Sequence, residues 1–378
     1  MLITDLALLR CIDCNAGLAF DRGLVESNGV LRHGVLTCEA CRRKYPVIDG
    51  VGIFFKRDYL MSYLSGKELR FIEGAGYSDV LSDSVSEDEG HLRQLAAGRN
   101  WEYQWSESYS YEPGDFQDNY FLSDELFFRF IPIDPAFIED AVVFLGCTGK
   151  GREAYNVAKR NPTKIICCEI GSEIYLTKSL VPDEAKLVLL RCDVTHHPVR
   201  DGACDIAVCD HALQHILDHQ AGFASIARVA KPGRHGRHGR HGGTVSVCVY
   251  SHENNFIMTG IIEPMKKVLH LLPLKAQERL SLVPAAMVHA LIRLVYVPAN
   301  KALPRLAEKL PLNSHMMLWS KFDFKTVWTA CFDLIHAPIS YHFRKGEIEA
   351  LCRQNGLTID RLVNTHGTTW SLAATRNA

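Results

Sequence analysis

Two sets of residues in this chain have the types and the spacing of chemical sites. The first is a pair of cysteine motifs, Cys11-Ile-Asp-Cys14 and Cys38-Glu-Ala-Cys41, with 23 residues between them. Four thiolates in two short motifs suit tetrahedral Zn²⁺, because each motif binds the ion from one side. Four protein ligands leave no open position for a water, so the predicted site is structural. Two disulfides are the alternative, which a reducing compartment disfavours.

The second set is a glycine-rich turn followed by an acid. An apolar stretch at 142–145 reads as a buried strand and runs into Gly146-Cys-Thr-Gly-Lys-Gly151. A second strand, at 164–168, ends in Glu169, which lies 23 positions after Gly146. Glycines let the backbone turn tightly and approach a ligand, and an acid at the next strand end can accept ribose hydroxyls. The pattern indicates a nucleotide-type cofactor, with candidate binding residues Gly146, Cys147, Thr148, Gly149, Gly151, Glu169 and Ile170.

Three more strands follow at 187–191, 205–209 and 244–250, separated by helical patterns. Asp193-Val194 comes directly after the third strand and Asp210-His211 directly after the fourth. Alternation of strands and helices predicts an α/β fold with a parallel sheet. Side chains at the carboxyl ends of such strands meet at one edge, so Asp193, Val194, Asp210 and His211 join the candidate cofactor residues.

The order of these elements resembles class I S-adenosylmethionine-dependent methyltransferases over residues 99–378. The resemblance rests on the glycine turn, the two acids, Leu213-Gln214-His215 and Lys231-Pro232-Gly233. It implies a Rossmann-like seven-stranded methyltransferase sheet, with Glu169 binding the ribose, Asp193 the adenine amine and the turn the methionine moiety. Phe144 replaces the acid that the family carries at this position, and the turn is one residue short. A domain that kept its sheet and lost its chemistry is therefore the alternative.

Residues 5–56 resemble a zinc ribbon, the small activator subunit of tRNA and protein methyltransferases, which also occurs fused in front of methyltransferases. The predicted organisation has five parts. They are a zinc ribbon (1–56), a linker with lid helices (57–130), the cofactor-binding core (131–255), a helical cap insert (256–330) and a C-terminal return to the sheet (331–378).

Three side chains are candidate bases for removing a proton from a methyl acceptor. His211 follows the fourth strand at the expected cofactor edge and is the first choice. His215 matches a family histidine that is often structural, and Tyr341 (with its neighbour His342) comes from the C-terminal part. Cys147 is expected to pack in the turn and not to act as a nucleophile.

Charge is balanced overall but unevenly distributed. The chain of 378 residues has a formal net charge of −1, which gives no general attraction for nucleic acid. Residues 73–140 carry a net charge of −13 and residues 264–325 a net charge of +7. The apolar stretch 281–300 is interrupted by His289 and Arg293, so an amphipathic or buried helix is predicted there and no membrane span. No secretory signal is recognised, and a cytoplasmic location is expected.

Several segments around the core have weaker patterns. The acidic, serine-rich stretch 77–98 reads as a linker, and the aromatic residues after it as lid helices or as plain packing. Prolines are expected to divide 252–328 into short helices. The Gly-Arg-His repeat at 233–241 reads as a surface loop, with metal binding as the alternative.

The sequence therefore predicts an S-adenosylmethionine-dependent methyltransferase that methylates an oxygen or nitrogen of a small organic molecule. Aminocarboxypropyl transfer, cyclisation of the cofactor, RNA methylation and a non-catalytic scaffold are the alternatives. The expected partner is a small-molecule acceptor, with nucleic acid disfavoured and a homodimer left open. Zn²⁺ and S-adenosylmethionine are the expected ligands.

Overall fold

The computed structural model describes residues 1–81, 88–109, 111–233 and 242–378. The Gly-Arg-His repeat lies outside the described residues except for its first glycine, and so does part of the predicted linker.

One sheet runs through the described part of the chain. Its eleven strands have the order β1-β2-β3-β4-β7-β6-β5-β8-β9-β11-β10. They are β1 (Leu18–Val25), β2 (Leu31–Cys38), β3 (Lys44–Ile48), β4 (Val51–Phe54), β5 (Val142–Gly146), β6 (Lys164–Glu169), β7 (Leu187–Cys192), β8 (Ile206–Asp210), β9 (Thr244–Tyr250), β10 (Leu357–Thr365) and β11 (Thr369–Arg376).

The predicted methyltransferase sheet is confirmed. Strands β7, β6, β5, β8 and β9 are parallel neighbours, and β11 runs antiparallel to both β9 and β10. The parallel strands are almost completely buried, because helices cover both faces. Their carboxyl ends therefore meet at one edge, where the glycine turn and the acids lie.

The ribbon forms part of the same sheet, which the sequence did not predict. Strand β4 pairs in parallel with β7, from Val51 opposite Leu189 to Phe54 opposite Cys192. Without β4, strand β7 would be an edge with unpaired backbone groups. The ribbon covers that edge, and the expected seven strands become part of a sheet of eleven.

Sixteen α-helices occur in the described residues. They are α1 (Leu60–Tyr63), α2 (Gly66–Gly74), α3 (Glu89–Tyr103), α4 (Asp115–Asp118), α5 (Asp124–Phe130), α6 (Arg152–Ala158), α7 (Thr177–Leu180), α8 (His219–Val229), α9 (Glu263–Leu269), α10 (Leu274–Leu280), α11 (Leu282–Leu291), α12 (Val297–Ala302), α13 (Pro304–Ala307), α14 (Asn313–Trp319), α15 (Phe324–His336) and α16 (Lys345–Gln354).

Two predictions about the helical parts are wrong in part. Helix α3 occupies much of the segment expected to be a linker, and it begins where Asp88 accepts a hydrogen bond from the His91 amide. The prolines divide the cap only in part: Pro273, Pro304 and Pro311 lie at helix boundaries, but 274–302 is one helical run. Pro284 lies near the start of α11, and Pro298 directly follows a π-helical turn, Ile292–Tyr296, which accommodates the missing amide donor.

A single helix among the described residues, Leu274–Ala302, is long and apolar enough to cross a membrane. It has 29 residues, and its most apolar window has a mean hydropathy of 1.8 and is only 22% buried. The inner side of the helix nevertheless packs on the domain, where the Trp328 indole donates to the Ser281 hydroxyl at 2.8 Å.

A buried ion pair joins the ribbon side of the molecule to the sheet. The Arg191 guanidinium on β7 pairs with the Glu68 carboxylate on α2 and donates to the Tyr63 carbonyl at 2.6 Å. Both charged side chains are almost fully buried. Removing one partner of such a pair leaves an uncompensated buried charge, so the helices after the ribbon are held firmly to β7.

The four predicted zinc ligands converge. Their sulfur atoms all lie within 4.8 Å of one another, with Cys11 and Cys41 at 3.6 Å and Cys14 and Cys38 at 3.4 Å. All four are free thiols, so the disulfide alternative is not seen. A tetrahedron with Zn–S bonds of about 2.3 Å has edges of about 3.8 Å, so the cluster fits Zn²⁺ with little adjustment.

Removing the metal is expected to destabilise the whole chain, because the ribbon strands belong to the main sheet. We predict one zinc per chain by elemental analysis, and a fall in melting temperature of at least about 5 °C on chelation. The Cys14→Ser variant should already melt at the lower temperature and respond little to the chelator. An unchanged melting temperature after complete removal of zinc would contradict this prediction.

Candidate functional site

A large cavity opens at the carboxyl ends of the parallel strands. Its volume is about 570 Å³, and its walls come from the sheet edge, from α3 and from the helical cap. Eight of the predicted site residues line it, namely Cys147, Thr148, Gly149, Glu169, Ile170, Asp210, His211 and His215. The structure thus brings together residues from three strand ends, as the sequence predicted for a cofactor edge.

The glycine turn after β5 has the backbone conformation that its composition predicted. Gly149 and Gly151 have φ values of +52° and +105°, and Cys147 itself has a φ of +60°. A Cβ on Gly151 would lie 2.7 Å from the Thr177 methyl group, so only glycine allows this approach between the turn and α7. The turn is closed by the Cys147 amide, which donates to the Cys168 carbonyl at 2.7 Å.

Glu169 is a buried acceptor at the end of β6. Its carboxylate accepts from the amides of Gly149 (2.7 Å), Ile170 (2.6 Å) and Gly171 (3.2 Å). Burial raises the pKa of Glu169, although these three donors favour the charged form. One carboxylate therefore fixes the position of the turn after β5 relative to the loop after β6.

Four side chains on the cavity wall carry a buried polar atom without a hydrogen-bond partner in the described part of the chain: Trp101, Thr148, Glu173 and Asp333. Both carboxylate oxygens of Glu173 and the hydroxyl of Thr148 are buried with no hydrogen-bond partner among the described residues. Burial, followed by the charge of Glu169, raises the pKa of Glu173 well above its ordinary value. Unpaired buried acceptors are costly unless a ligand supplies donors. A molecule with hydroxyl and ammonium donors, such as S-adenosylmethionine, fits this wall.

Glu173 was missed in the sequence because it lies in the loop after the cofactor strand, four residues beyond the expected acid. An acid there has no distinctive spacing, and only its burial without a partner distinguishes it. Arg152 and Glu153, directly after the glycine turn, were missed for the same reason and also line the cavity.

Five predicted site residues lie outside the cavity wall: Gly146, Gly151, Asp193, Val194 and Tyr341. The half-buried Asp193 accepts from the amide and the hydroxyl of Thr195, at 2.8 and 2.7 Å, so it caps the turn after β7. The Tyr341 hydroxyl donates to Glu347 at 2.7 Å, and its ring stacks on His219. The structure does not bring Tyr341 to the cavity, and burial lowers the pKa of its neighbour His342 to about 4.

Phe144 is fully buried in the core on the far side of β5 and packs against the His197 ring. No acid therefore stands at this position on β5. The acids on the cavity wall are Glu153, Glu169, Glu173, Asp210 and Asp333.

His211 belongs to a chain of charged and polar groups. Its Nδ1 lies 2.7 Å from one Asp210 oxygen, and the other Asp210 oxygen accepts from Arg152 at 2.5 Å. Its Nε2 lies 3.5 Å from the Cys248 sulfur. Burial opposes the imidazolium, but Cys248 and Asp210 outweigh it and raise the pKa of His211 well above its ordinary value. Burial would also raise the pKa of Asp210, yet His211 and Arg152 hold it below its usual range.

His215 has a different environment although it also lines the cavity. Its Nδ1 lies 2.7 Å from the Ile339 carbonyl, and its ring packs against Trp101 and Tyr250. Burial lowers the pKa of His215 to about 3. A histidine that stays neutral and donates to a backbone carbonyl holds the segment before Tyr341 in place.

Aromatic side chains from the segment after the ribbon cover the glycine turn. A Cβ on Gly149 would lie 3.5 Å from the Trp105 indole, and Trp101 forms the neighbouring wall. The Tyr103 hydroxyl donates to Glu278 of the cap at 2.6 Å, and the Asn100 amide donates to the His336 carbonyl at 3.0 Å. Helix α3 is thus bonded to the cap and closes the cavity over the turn.

Comparison with known proteins gives one family match. Residues 143–235 match the model of the methyltransferase domain family described as Methyltransf_11. No curated protein matches the chain.

Solved structures of similar topology have low sequence identity. A Haloferax volcanii methyltransferase in complex with the Trm112 activator is 12% identical, with a TM-score of 0.41 over 74% of this chain and 98% of that one. The magnesium protoporphyrin IX methyltransferase of Synechocystis PCC 6803 is 11% identical, with a TM-score of 0.42 over 77% and 100%. The 1,6-didemethyltoxoflavin-N1-methyltransferase of Burkholderia thailandensis is 9% identical, with a TM-score of 0.41 over 78% and 93%.

Neutralising the two cavity carboxylates is expected to have opposite effects on the ligand-free protein. Glu173→Gln should raise the melting temperature at pH 8 relative to wild type, because the raised folded-state pKa of Glu173 costs stability as the pH rises above the unfolded-state pKa. The pKa of Glu169 is raised as well, but Glu169→Gln replaces one of the two oxygens that accept from three amides by an NH₂ donor, and this loss should outweigh the relief of charge burial and cost about 1–3 kcal/mol. Thermal unfolding at pH 6 and pH 8 measures both. Equal effects of the two variants would contradict the assignment.

Proposed function

We propose that this chain, a class I S-adenosylmethionine-dependent methyltransferase with an N-terminal four-cysteine zinc ribbon, methylates a small apolar organic molecule at an ionisable oxygen or nitrogen. The observation that carries the proposal is the cavity itself. It combines the cofactor turn, a histidine paired with a carboxylate and a wall of aromatic side chains, which are Trp101, Trp105, Phe121, Phe130, Tyr250, Trp319 and Phe322.

The cofactor wall is the part formed by the glycine turn, Glu169 and Glu173. Glu169 is proposed to bind the ribose, and Glu173 and Thr148 to accept hydrogen bonds from donors of the cofactor. S-adenosylmethionine held by these residues would supply an electrophilic methyl group for in-line attack by the acceptor atom, and its sulfur would leave as the neutral thioether of S-adenosylhomocysteine. Trp105 lies over the turn and excludes water from this region.

His211 is proposed to take the proton from the acceptor. Asp210 holds its Nδ1, which leaves Nε2 to receive the proton, in exchange for its weak contact with the Cys248 sulfur at 3.5 Å. This is the arrangement in which a carboxylate orients an imidazole and stabilises its charged form. The side chain of His211 is 28% exposed and lines the cavity. The positive φ of His211, +50°, is the strained backbone that directs it there.

An apolar acceptor fits the opposite wall better than a polar one. The cap contributes Met258, Ile262, Leu269, Val288 and Leu318, and none of these offers a hydrogen bond. Burying a charged group of a substrate against such a wall would be costly. The acceptor is therefore proposed to be a mainly hydrocarbon or aromatic molecule that presents one ionisable group to His211.

The product distinguishes methyl transfer from other uses of the cofactor. Purified protein is incubated with methyl-labelled S-adenosylmethionine and an organic extract of cells. The proposal predicts S-adenosylhomocysteine together with label that partitions into the organic phase. Methylthioadenosine in place of S-adenosylhomocysteine would indicate aminocarboxypropyl transfer or cyclisation. Label that stays in RNA or protein would refute a small-molecule acceptor.

The pH dependence is expected to report the His211–Asp210 pair. The groups that face His211 are Asp210, Cys248 and, through Asp210, Arg152, and they raise its pKa above the ordinary value. The base must be neutral, so kcat/KM should rise with pH through a pKa above that of free histidine. His211→Asn keeps a residue that tolerates positive φ and should lower kcat by about 10²- to 10⁴-fold.

His215→Asn is the matched control for this experiment. Because the pKa of His215 is depressed to about 3, this residue stays neutral at the pH values of the assay. Its replacement should therefore leave the rise of kcat/KM with pH unchanged. A rise of kcat/KM with pH that is lost in His215→Asn and kept in His211→Asn would contradict the assigned roles.

A further inference from the structure

The outer side of the helical cap is an exposed apolar surface. Fifteen of the twenty-one large hydrophobic side chains that are exposed in the described residues lie between 256 and 306. Leu271 and Leu294 are 82% and 76% exposed. Scattered exposed apolar residues are normal, but a concentration of this kind marks an interaction surface.

The helical run 274–302 has two apolar sides. The inner stripe packs on the domain and consists of Ser281, Ala285, Val288, Ile292 and Tyr296. The outer stripe repeats at the same helical spacing and is exposed, and it consists of Leu280, Val283, Met287, Leu291 and Leu294. A helix on the surface of a domain usually has one apolar side, which packs on that domain. The second apolar side of this helix therefore indicates contact with an apolar environment outside the domain.

The charges around this surface are nearly all positive. Seven exposed cations lie between 264 and 310 and form no ion pair within the described part of the chain: Lys267, Lys275, Arg279, Arg293, Lys301, Arg305 and Lys309. Glu308 is the one exposed acid in that range as far as the structure describes it. Basic side chains next to exposed apolar helices suit anionic lipid headgroups over an acyl layer.

We propose that the outer side of the cap binds the surface of an anionic membrane. The outer surface is defined by Val268, Leu271, Val283, Met287 and Leu294. The helical run lies in the plane of the interface and does not cross the membrane, because its inner stripe stays packed on α15 and bonded to Trp328. The apolar side chains enter the acyl boundary, and the lysines and arginines contact lipid phosphates.

A membrane fits this surface better than a second copy of the chain. A two-fold interface brings the same patch of both subunits together. Here it would place seven cations of one copy near seven of the other, which like-charge repulsion disfavours. Lipid phosphates are negatively charged, so the same seven cations are attracted to an anionic membrane.

The cavity is continuous with this surface. Met265 and Leu291 line the cavity and are also 50% and 44% exposed, so the apolar wall reaches the outside of the cap. If the acceptor is apolar, which rests on the proposed function, it can pass from the lipid into the cavity along this wall. Membrane binding itself needs no catalysis and is tested without it.

The experiment measures flotation of the zinc-loaded chain of 378 residues with vesicles. The vesicles are phosphatidylcholine with one-quarter phosphatidylglycerol, or phosphatidylcholine alone. We expect binding to the anionic vesicles that weakens at high salt. The triple variant Val283→Ser, Met287→Ser, Leu294→Ser should bind at least about tenfold more weakly. These three side chains are outside the cavity wall, so cofactor binding should be unchanged.

The matched control replaces exposed apolar residues elsewhere, Leu24→Ser, Leu92→Ser and Val363→Ser, and should bind like wild type. A second variant combines Lys267→Glu, Lys275→Glu and Lys301→Glu and leaves the apolar outer stripe intact. It should lose the preference for anionic vesicles.

Three results would overturn the proposal. The first is absence of binding to either vesicle. The second is a dimer in light scattering that the serine triple converts to monomer, which assigns the surface to a second copy. The third is RNA binding that the lysine variant abolishes while vesicle binding is unaffected by both variants.

Discussion

The structure depends on the parallel pairing of β4 with β7. This pairing turns a zinc ribbon of about fifty residues into the edge of the main sheet, and it protects a strand that would otherwise present unpaired backbone groups. The segment that leaves β4 begins beside the carboxyl edge of the sheet. It is anchored there by the buried pair of Arg191 and Glu68 before it continues into α3. The zinc site, the sheet edge and the lid are consequently parts of one connected unit.

The cavity at this edge of the sheet has two unlike walls. The sheet edge supplies the glycine turn, Glu169 and the His211–Asp210 pair, each at a strand end, and Glu173 from the 3₁₀ helix that follows β6. The lid and the cap supply aromatic and aliphatic side chains, and they are held together by the hydroxyls of Tyr103 and Ser108, which both donate to Glu278. Under the proposed function, a polar cofactor and an apolar acceptor would meet in one space, with the reacting groups at the boundary between the two walls.

Much of the core could be predicted from the sequence, because its signals are local. The buried strand at 142–146, its glycines and Glu169 lie within one βαβ unit, and the cysteine spacing alone identified the zinc ligands. The pairing of β4 with β7 could not be predicted, since it joins segments more than a hundred residues apart and leaves no local pattern. Tyr341 and Asp193 were predicted from family position, and the structure gives their polar atoms other partners. Glu173 could be recognised as a candidate site residue only from the structure, where its carboxylate is buried without a hydrogen-bond donor. Pro284 and Pro298 suggested breaks in the helical run 274–302 that do not occur. A π-helical turn accommodates Pro298, and the sequence does not reveal such a turn.

The most direct test of the central claim is a calorimetric titration of zinc-loaded protein with S-adenosylmethionine. We predict saturable binding of one cofactor per chain in the micromolar range, weakened at least about tenfold by Glu169→Ala. Absence of binding at millimolar cofactor, in protein that keeps its zinc and its cooperative unfolding, would contradict the account. It would mean that Phe144 and the shortened turn left the sheet intact without its cofactor site.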